Sequence, residues 1–347
     1  MKRIITILKI NLALALLLAA SSCAVAQDPH FSQFFETPLL RNPALAGLFD
    51  GDVRVQGVYR SQWGSVSVPY ITVSLNGEYK QPIGKGNDFL TMGMAILYDK
   101  AGDINFTTIN VMPVLNYHKS FSDDKTKYLS LGLMAGWVNR NIDRSKVTTN
   151  NQFDGFGYNP SLPDGETFPG SGYSYWDGSV GLSFNSSING NRDYNYYIGV
   201  AYHHFNRPVN SFYKDPTIEL NPKWVVSGGI KLPVSEVAYM TIEGDFSQQG
   251  SFSEDIAGFS MSYKFGSSYD RPDYQLHLGA YLRWNDAFIP VVKLDYHPYS
   301  IAISYDANIS TLRTASQGLG GFELSVSYIG FLDRDNSTKN SVVCPRF

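Results

Sequence analysis

The chain has 347 residues, of which only 17% are charged, with a formal net charge of −3 and 23 Tyr, 21 Phe, 5 Trp and 31 Gly. A soluble domain carries about a quarter charged residues, and so neutral a balance offers no basic surface, so nucleic acid is not expected as a partner. Beyond Ala20 no run of ~18 apolar residues occurs, which excludes a helical membrane protein and leaves a closed β-barrel as the membrane option.

At the N-terminus, Lys2 and Arg3 precede an apolar run from Ile4 to Ala20 and then Ser21-Ser22-Cys23-Ala24-Val25-Ala26. This is the pattern of a secretory signal over residues 1–26, with Ala24-Val25-Ala26 as the small-residue cleavage site and Gln27 as the mature start. A retained anchor and a lipidated Cys23 are the alternatives. Lys9 and Asn11 interrupt the first, and Ala20 stands where lipoprotein signals carry Leu. Cleavage at Ala26 leaves Cys344 as the one thiol, so no internal disulfide is expected.

Residues 27–51 are irregular, because Pro29, Pro38 and Pro43 each remove a backbone donor and turn the preceding residue away from helix. Phe31, Phe34, Phe35, Leu39, Leu40 and Leu45 need apolar cover. The segment is expected to be plug-like, with Asp28, Pro29, Phe31, Ser32, Gln33, Phe34, Phe35, Asn42, Pro43, Ala44 and Gly47 as plug or partner contacts.

Alternation with period two begins after it. Ile71, Val73, Leu75 and Tyr79 oppose Thr72, Ser74, Asn76 and Glu78, and Leu129, Leu131, Leu133, Ala135 and Trp137 oppose the smaller Ser130, Gly132, Met134 and Gly136. A charge facing lipid at the midplane costs about 2–4 kcal/mol for Arg or Lys, so charges should share one parity. They do. Glu78, Glu243, Asp245, His277, Arg283, Lys293, Asp295 and Glu323 all fall on the polar side and are expected to face the lumen.

The expected strands lie near 52–60, 69–81, 89–99, 104–120, 126–140, 173–188, 193–206, 222–233, 237–249, 252–265, 273–285, 288–297, 299–308 and 320–330. That is about fourteen, the even number a single-chain outer-membrane barrel requires. The predicted fold is all-β, a transmembrane antiparallel up-and-down barrel over residues 52–330, followed by a tail at 331–347 that ends in Cys344, Pro345, Arg346 and Phe347. An even strand count brings both termini to one face. The N-terminal segment is therefore expected at or in the periplasmic mouth, with Asn42-Pro43-Ala44 fixing the approach to the first strand and the tail also periplasmic. The connections 141–172 and 207–221 are long, and are candidate partner surfaces or plain solvated loops.

No signature of catalysis or cofactor binding is found. Glu243 and Asp245 sit roughly 7 Å apart on one face, a spacing a polar lumen explains better than acid/base work. His203 and His204 are adjacent, so on a strand they would face opposite ways and could not chelate together. His30, His118, His277 and His297 show no ligand spacing, and Gly84-Lys85-Gly86 lacks the strand-to-helix context of a phosphate loop. Serine and histidine could still meet across strands.

Gln27-Asp28-Pro29-His30-Phe31-Ser32-Gln33-Phe34, Asn42-Pro43-Ala44-Leu45-Ala46-Gly47 and Tyr59-Arg60-Ser61-Gln62-Trp63 resemble the PorP/SprF family of type IX secretion system membrane proteins in Bacteroidota. Gly320-Gly321-Phe322-Glu323-Leu324-Ser325-Val326-Ser327-Tyr328 and the terminal Cys344-Pro345-Arg346-Phe347 resemble its other end. His30 and Phe34 depart modestly from the pattern. The resemblance implies an outer-membrane barrel that supports secretion or surface anchoring of proteins with C-terminal sorting domains, gliding adhesins included. Its implied partners are the secreted substrates, other translocon subunits including periplasmic ring components, and outer-membrane lipid. It implies no enzyme and no cofactor. A diffusion porin and a barrel hydrolase remain the alternatives.

Overall fold

The computed structural model describes residues 28–332 except 85, 168, 189, 267–271 and 312. The expected signal, residues 1–26, and the tail residues Cys344, Pro345, Arg346 and Phe347 lie outside the described residues.

Fourteen antiparallel strands close into one barrel, each hydrogen-bonded to its neighbours in sequence and the last paired with the first. They are β1 (Val53–Gln62), β2 (Tyr70–Pro82), β3 (Phe89–Ala101), β4 (Phe106–Ser120), β5 (Lys127–Asn141), β6 (Gly172–Ile188), β7 (Asn191–His203), β8 (Lys223–Ser235), β9 (Ala238–Gln249), β10 (Phe252–Phe265), β11 (Tyr274–Arg283), β12 (Ala287–Tyr296), β13 (Tyr299–Asn308) and β14 (Leu319–Gly330). Closure leaves no unpaired edge, the condition for a sheet to cross hydrocarbon. Among the described residues no helix is long and apolar enough to cross a membrane.

The barrel is apolar outside and polar inside. Leu131, Ile198 and Val292 point outward and are exposed, while Arg54, Arg60, Asn76, Glu78, Lys80, Asn116 and Glu323 are buried in the lumen. The two faces alternate along each strand because successive side chains point to opposite sides. The long connections, 142–171 and 204–222, share one end of the barrel; β1 begins and β14 finishes at the other.

The largest departure from expectation is the N-terminal segment. It does not sit at the mouth where β1 begins: it runs the length of the lumen. Asp28 lies at the long-loop end, beside His204 after β7 and Gln249 at the end of β9. The segment then descends to the opposite end, where Lys80 near the end of β2 donates to the Phe49 carbonyl and its own N–H bonds to the Asp52 carbonyl. The same-face rule is correct for the strands but does not govern a chain that first crosses the lumen. Asn42-Pro43-Ala44 accordingly lies within the lumen rather than at the start of β1.

Candidate functional site

The structured interior is the interface between the N-terminal segment and the wall. Three short helical turns, Phe34–Glu36, Pro38–Arg41 and Pro43–Leu45, fold the segment compactly enough to fill the lumen. Pro38 and Pro43 stand at the first positions of their turns, where the missing N–H costs no bond. Each apolar side chain finds an apolar island in the polar wall. Phe31 meets Val58 and Leu97, Phe34 and Phe35 meet Tyr281, Ile256 and Ile289, Leu39 meets Met112 and Met134, and Leu45 meets Phe89, Tyr128 and Tyr197. Leu40 is only partly buried.

The polar contacts are charge-assisted and span the lumen. Glu323 of β14 accepts from the Ser32 and Gln33 N–H groups at 2.6 and 2.7 Å and from the Arg60 guanidinium. Arg60 also donates to Asp306 at 2.9 Å and to the Ser32 hydroxyl at 2.7 Å. Arg283 reaches the same hydroxyl at 3.1 Å. One serine of the segment thus joins β1, β11, β13 and β14 across the seam that closes the barrel. Lower down, Lys293 donates to Glu36 at 2.6 Å, Arg41 grips Asp245 with two nitrogens and donates to the Tyr197 hydroxyl at 2.8 Å, and the Gly47 N–H donates to Glu78 at 2.7 Å.

Between these clamps the segment touches backbone. Asn42 caps its own turn by accepting from the Ala44 N–H at 2.8 Å, and its amide donates to the Leu182 and Val200 carbonyls. Asn116 donates to the Ala44 and Ala46 carbonyls at 2.9 and 2.8 Å, and Ser183 donates to Ala44. So close an approach needs a wall without side chains. A Cβ on Gly132 would stand 2.3 Å from the Pro43 carbonyl carbon, and one on Gly181 would stand 1.9 Å from the Asn42 amide oxygen.

Of the residues expected to line the lumen, Glu78, Glu243, His277, Arg283, Lys293 and Glu323 are buried there and Asp245 and Asp295 are largely so. Phe31, Ser32, Gln33, Phe34, Phe35, Asn42, Pro43, Ala44 and Gly47 are the buried face of the segment itself, with the half-buried Asp28 and Pro29 bordering the open space above it. Sequence reasoning missed Arg41, Arg54, Arg60, Lys80, Asn116 and His204. Arg60 and Lys80 were readable, since both continue the polar parity of their strands.

The two adjacent histidines correct an expectation. β7 ends at His203, and His204 takes a left-handed backbone with φ 57°, so both rings enter the lumen. His203 accepts from Ser179 and donates to the Arg41 carbonyl at 3.0 Å. His204 lies between Asp177 at 2.7 Å and Asp28 at 2.8 Å. Burial alone would lower the His204 pKa, but the Asp28 charge and the bonds to both carboxylates outweigh it and push it up to about 10. Asp28 is correspondingly held well below the usual carboxylate range, since His204 and Lys223 outweigh its burial. Among the described residues no group of His, Cys, Asp and Glu could hold a metal ion.

Serine and histidine do meet across strands, three times among the described residues. Ser130 faces His118, Ser179 faces His203 and Ser262 faces His277, at 2.7 to 2.9 Å. His277 also contacts Asp295 at 3.2 Å, completing a Ser-His-Asp set. Ser262 and His277 are fully buried. The second long loop, finally, is tied to the first and to the start of β6: Tyr213 donates to Glu166 at 3.2 Å, and Phe212 packs on Tyr173 at 4.8 Å.

A family model described as type IX secretion system membrane protein PorP/SprF matches residues 24–328. No curated protein matches the chain significantly. Among solved structures, the chain is similar to the Ralstonia pickettii toluene transporter TbuX, with a TM-score of 0.49 and 12% identity over 86% of this chain and 94% of that one. It is also similar to a Pseudomonas aeruginosa FadL homologue, with a TM-score of 0.48 and 9% identity over 84% of this chain and 94% of that one.

Proposed function

The chain belongs to the family of type IX secretion system membrane proteins PorP/SprF, and from that premise we propose that this outer-membrane barrel supports the secretion or surface anchoring of proteins with C-terminal sorting domains, gliding adhesins among them. It works through protein contacts with other translocon subunits, periplasmic ring components included, and with the secreted substrates.

One observation carries this reading over a diffusion porin. The motifs that mark the family resemblance, Asp28 to Phe34, Asn42 to Gly47 and, in the third, Arg60, supply many of the contacts between segment and wall. What distinguishes this barrel is therefore the device that fills its lumen. A filled barrel offers its two ends and its rim as working surfaces, as an assembly component needs.

The hydrolase reading is favoured by the Ser262, His277 and Asp295 distances. Against it, the Ser-His pairing recurs twice where no carboxylate completes it, and a fully buried hydroxyl has no route to an ester. The recurrent pairs satisfy buried polar groups of the wall.

The test is affinity isolation of the full-length protein from native outer membrane together with the secreted proteome of a deletion strain. Co-isolation of translocon subunits and loss of sorting-domain proteins from the surface is expected. Normal secretion in the deletion strain with ordinary channel conductance of the pure protein would replace this reading with the porin. Ester turnover abolished by Ser262→Ala would replace it with the hydrolase.

A further inference from the structure

At the long-loop end, between the segment and strands β3 to β8, lies a recess of about 70 Å³. At ~10–15 Å³ for each water-sized probe, it has room for about five groups of methylene size. Part of its lining is apolar: Leu97, Met112, Met134 and Val138 of the wall, and Leu40 of the segment, which its neighbours cover only in part. Beside this apolar surface stand two half-buried cations, Arg140 and Lys223.

Neither cation has a counter-ion among the described residues. The Lys223 ammonium makes no hydrogen bond and no ion pair there. Arg140 is held by neutral groups alone: it donates to the Asn210 side-chain oxygen at 2.8 Å and lies 5.9 Å from the Phe106 and Tyr175 rings. Its Nε atom is buried without a partner. The nearby carboxylates are taken up elsewhere. Asp28 and Asp177 both bond His204, and Asp99, in the neighbouring recess, accepts from the Thr72 hydroxyl. His203 is neutral in its bonds to Ser179 and the Arg41 carbonyl. With His204 charged, the lining thus carries three positive groups, Arg140, Lys223 and His204, against the two carboxylates of Asp28 and Asp177, a surplus of one.

Charges withdrawn from water are costly unless paired, so this surplus calls for one anion. A bare inorganic ion would leave the surface of Leu40 and the two methionines unused. A guanidinium and an ammonium both suit a carboxylate, and a short alkyl chain suits the apolar side. We propose that this recess binds a small aliphatic monocarboxylate of roughly four carbons, its carboxylate drawn to Arg140 and Lys223 and its chain laid against Leu40, Met112 and Met134. Such a ligand would bind whether or not the barrel serves secretion.

The experiment titrates the purified full-length protein in detergent with isotope-labelled butanoate and follows the ligand's NMR line width. Butanamide keeps the shape and removes the charge, while acetate keeps the charge and removes most of the chain. Saturable binding of butanoate is expected, with no binding of butanamide and weaker competition by acetate and chloride. Arg140→Gln and Lys223→Gln should each weaken it about tenfold, the size of one lost charge-assisted hydrogen bond. Lys223→Gln removes no side-chain bond of the fold, and circular dichroism with retained trypsin resistance at Arg41 verifies both variants. No saturable binding, equal binding of butanamide, or binding unchanged in Lys223→Gln would overturn the proposal. Displacement of butanoate by acetate or chloride at equal concentration would overturn it too, since the apolar surface would then play no part.

Discussion

The carbonyl carbon of Pro43 lies where a side chain of Gly132 would begin, 2.3 Å from the position of the absent Cβ. The segment and the wall are fitted to each other at backbone distance, and neighbouring strands share the fit, since Gly132 pairs directly with Gly181, which meets Asn42.

Gly132→Ala and Gly132→Val should therefore unseat the segment while leaving the strand ladder intact. Overpacking a close contact costs about 1–3 kcal/mol, and valine should exceed alanine. The readout is trypsin: Arg41 is buried in the native protein and should resist cleavage there but be cut in the variants. A Gly132→Val protein with Arg41 still protected would show that the contact is looser than described.

The seam between β1 and β14 should depend on Glu323. It is fully buried and satisfies two N–H groups of the segment and the Arg60 guanidinium. Removing one partner of a buried pair costs about 3–5 kcal/mol, because the other charge is left uncompensated. Glu323→Gln and Arg60→Met should each lower the unfolding free energy measured in urea by that order, and the double variant should lose less than the sum, by ~0.5–3 kcal/mol. Strict additivity would mean that the two side chains act separately.

Much of this barrel is legible from sequence and its filling is not, for a physical reason. The lipid face and the lumen demand opposite polarity, so a two-residue period betrays every strand, and the position of Glu323 or Lys293 on the inner face follows from parity alone. The strand bounds accordingly fall within a few residues of expectation. Which lumenal charge meets which is a matter of closure: Arg60 and Glu323 are 263 residues apart, and no local pattern connects them. The path of the segment is hidden for the same reason, since irregular backbone has no period to read. A trace existed in the small inward residues of β5, among them Gly132, whose purpose appears only once Pro43 is placed against it. His204 was misjudged because strand geometry was extended one residue too far, past the point where φ turns positive.

The cluster of Asp28, Asp177 and His204 should make stability depend on pH in a defined window. His204 faces Asp28 and Asp177, with His203 and Lys223 as the nearby bases. Its folded pKa is raised from 6.5 to about 10. The stabilisation is thus fully present below about pH 6.5 and is lost as pH rises through about 10, at up to ~1.4 kcal/mol per unit. Asp28 behaves inversely: its contribution is present above 3.8 and lost as pH falls through its lowered folded value. The stability advantage of the native protein over His204→Gln, measured by urea unfolding, should be largest near pH 6 and shrink toward pH 10.5. An advantage that stays constant from pH 6 to 10.5 would mean that His204 is not charged in the folded state.

Deleting residues 28–46 should convert the filled barrel into a conducting one. The fourteen-strand ladder is independent of the segment, because every strand pairs with strands alone, and a barrel of this size can enclose an aqueous channel. Removal would take Arg41 from Asp245, Glu36 from Lys293 and two N–H donors from Glu323, buried charges that must then be compensated by hydration. Water is the available substitute, so the lumen should flood rather than collapse. Planar-bilayer recording should show discrete channels for the deletion and none for the native protein, while circular dichroism keeps its strand signal. The deleted protein should also be less stable, since the apolar islands at Met112, Tyr281 and Phe89 would face water. A native protein that conducts as readily as the deletion would show that the segment leaves a through-path, and the lumen would then have to be regarded as a pore.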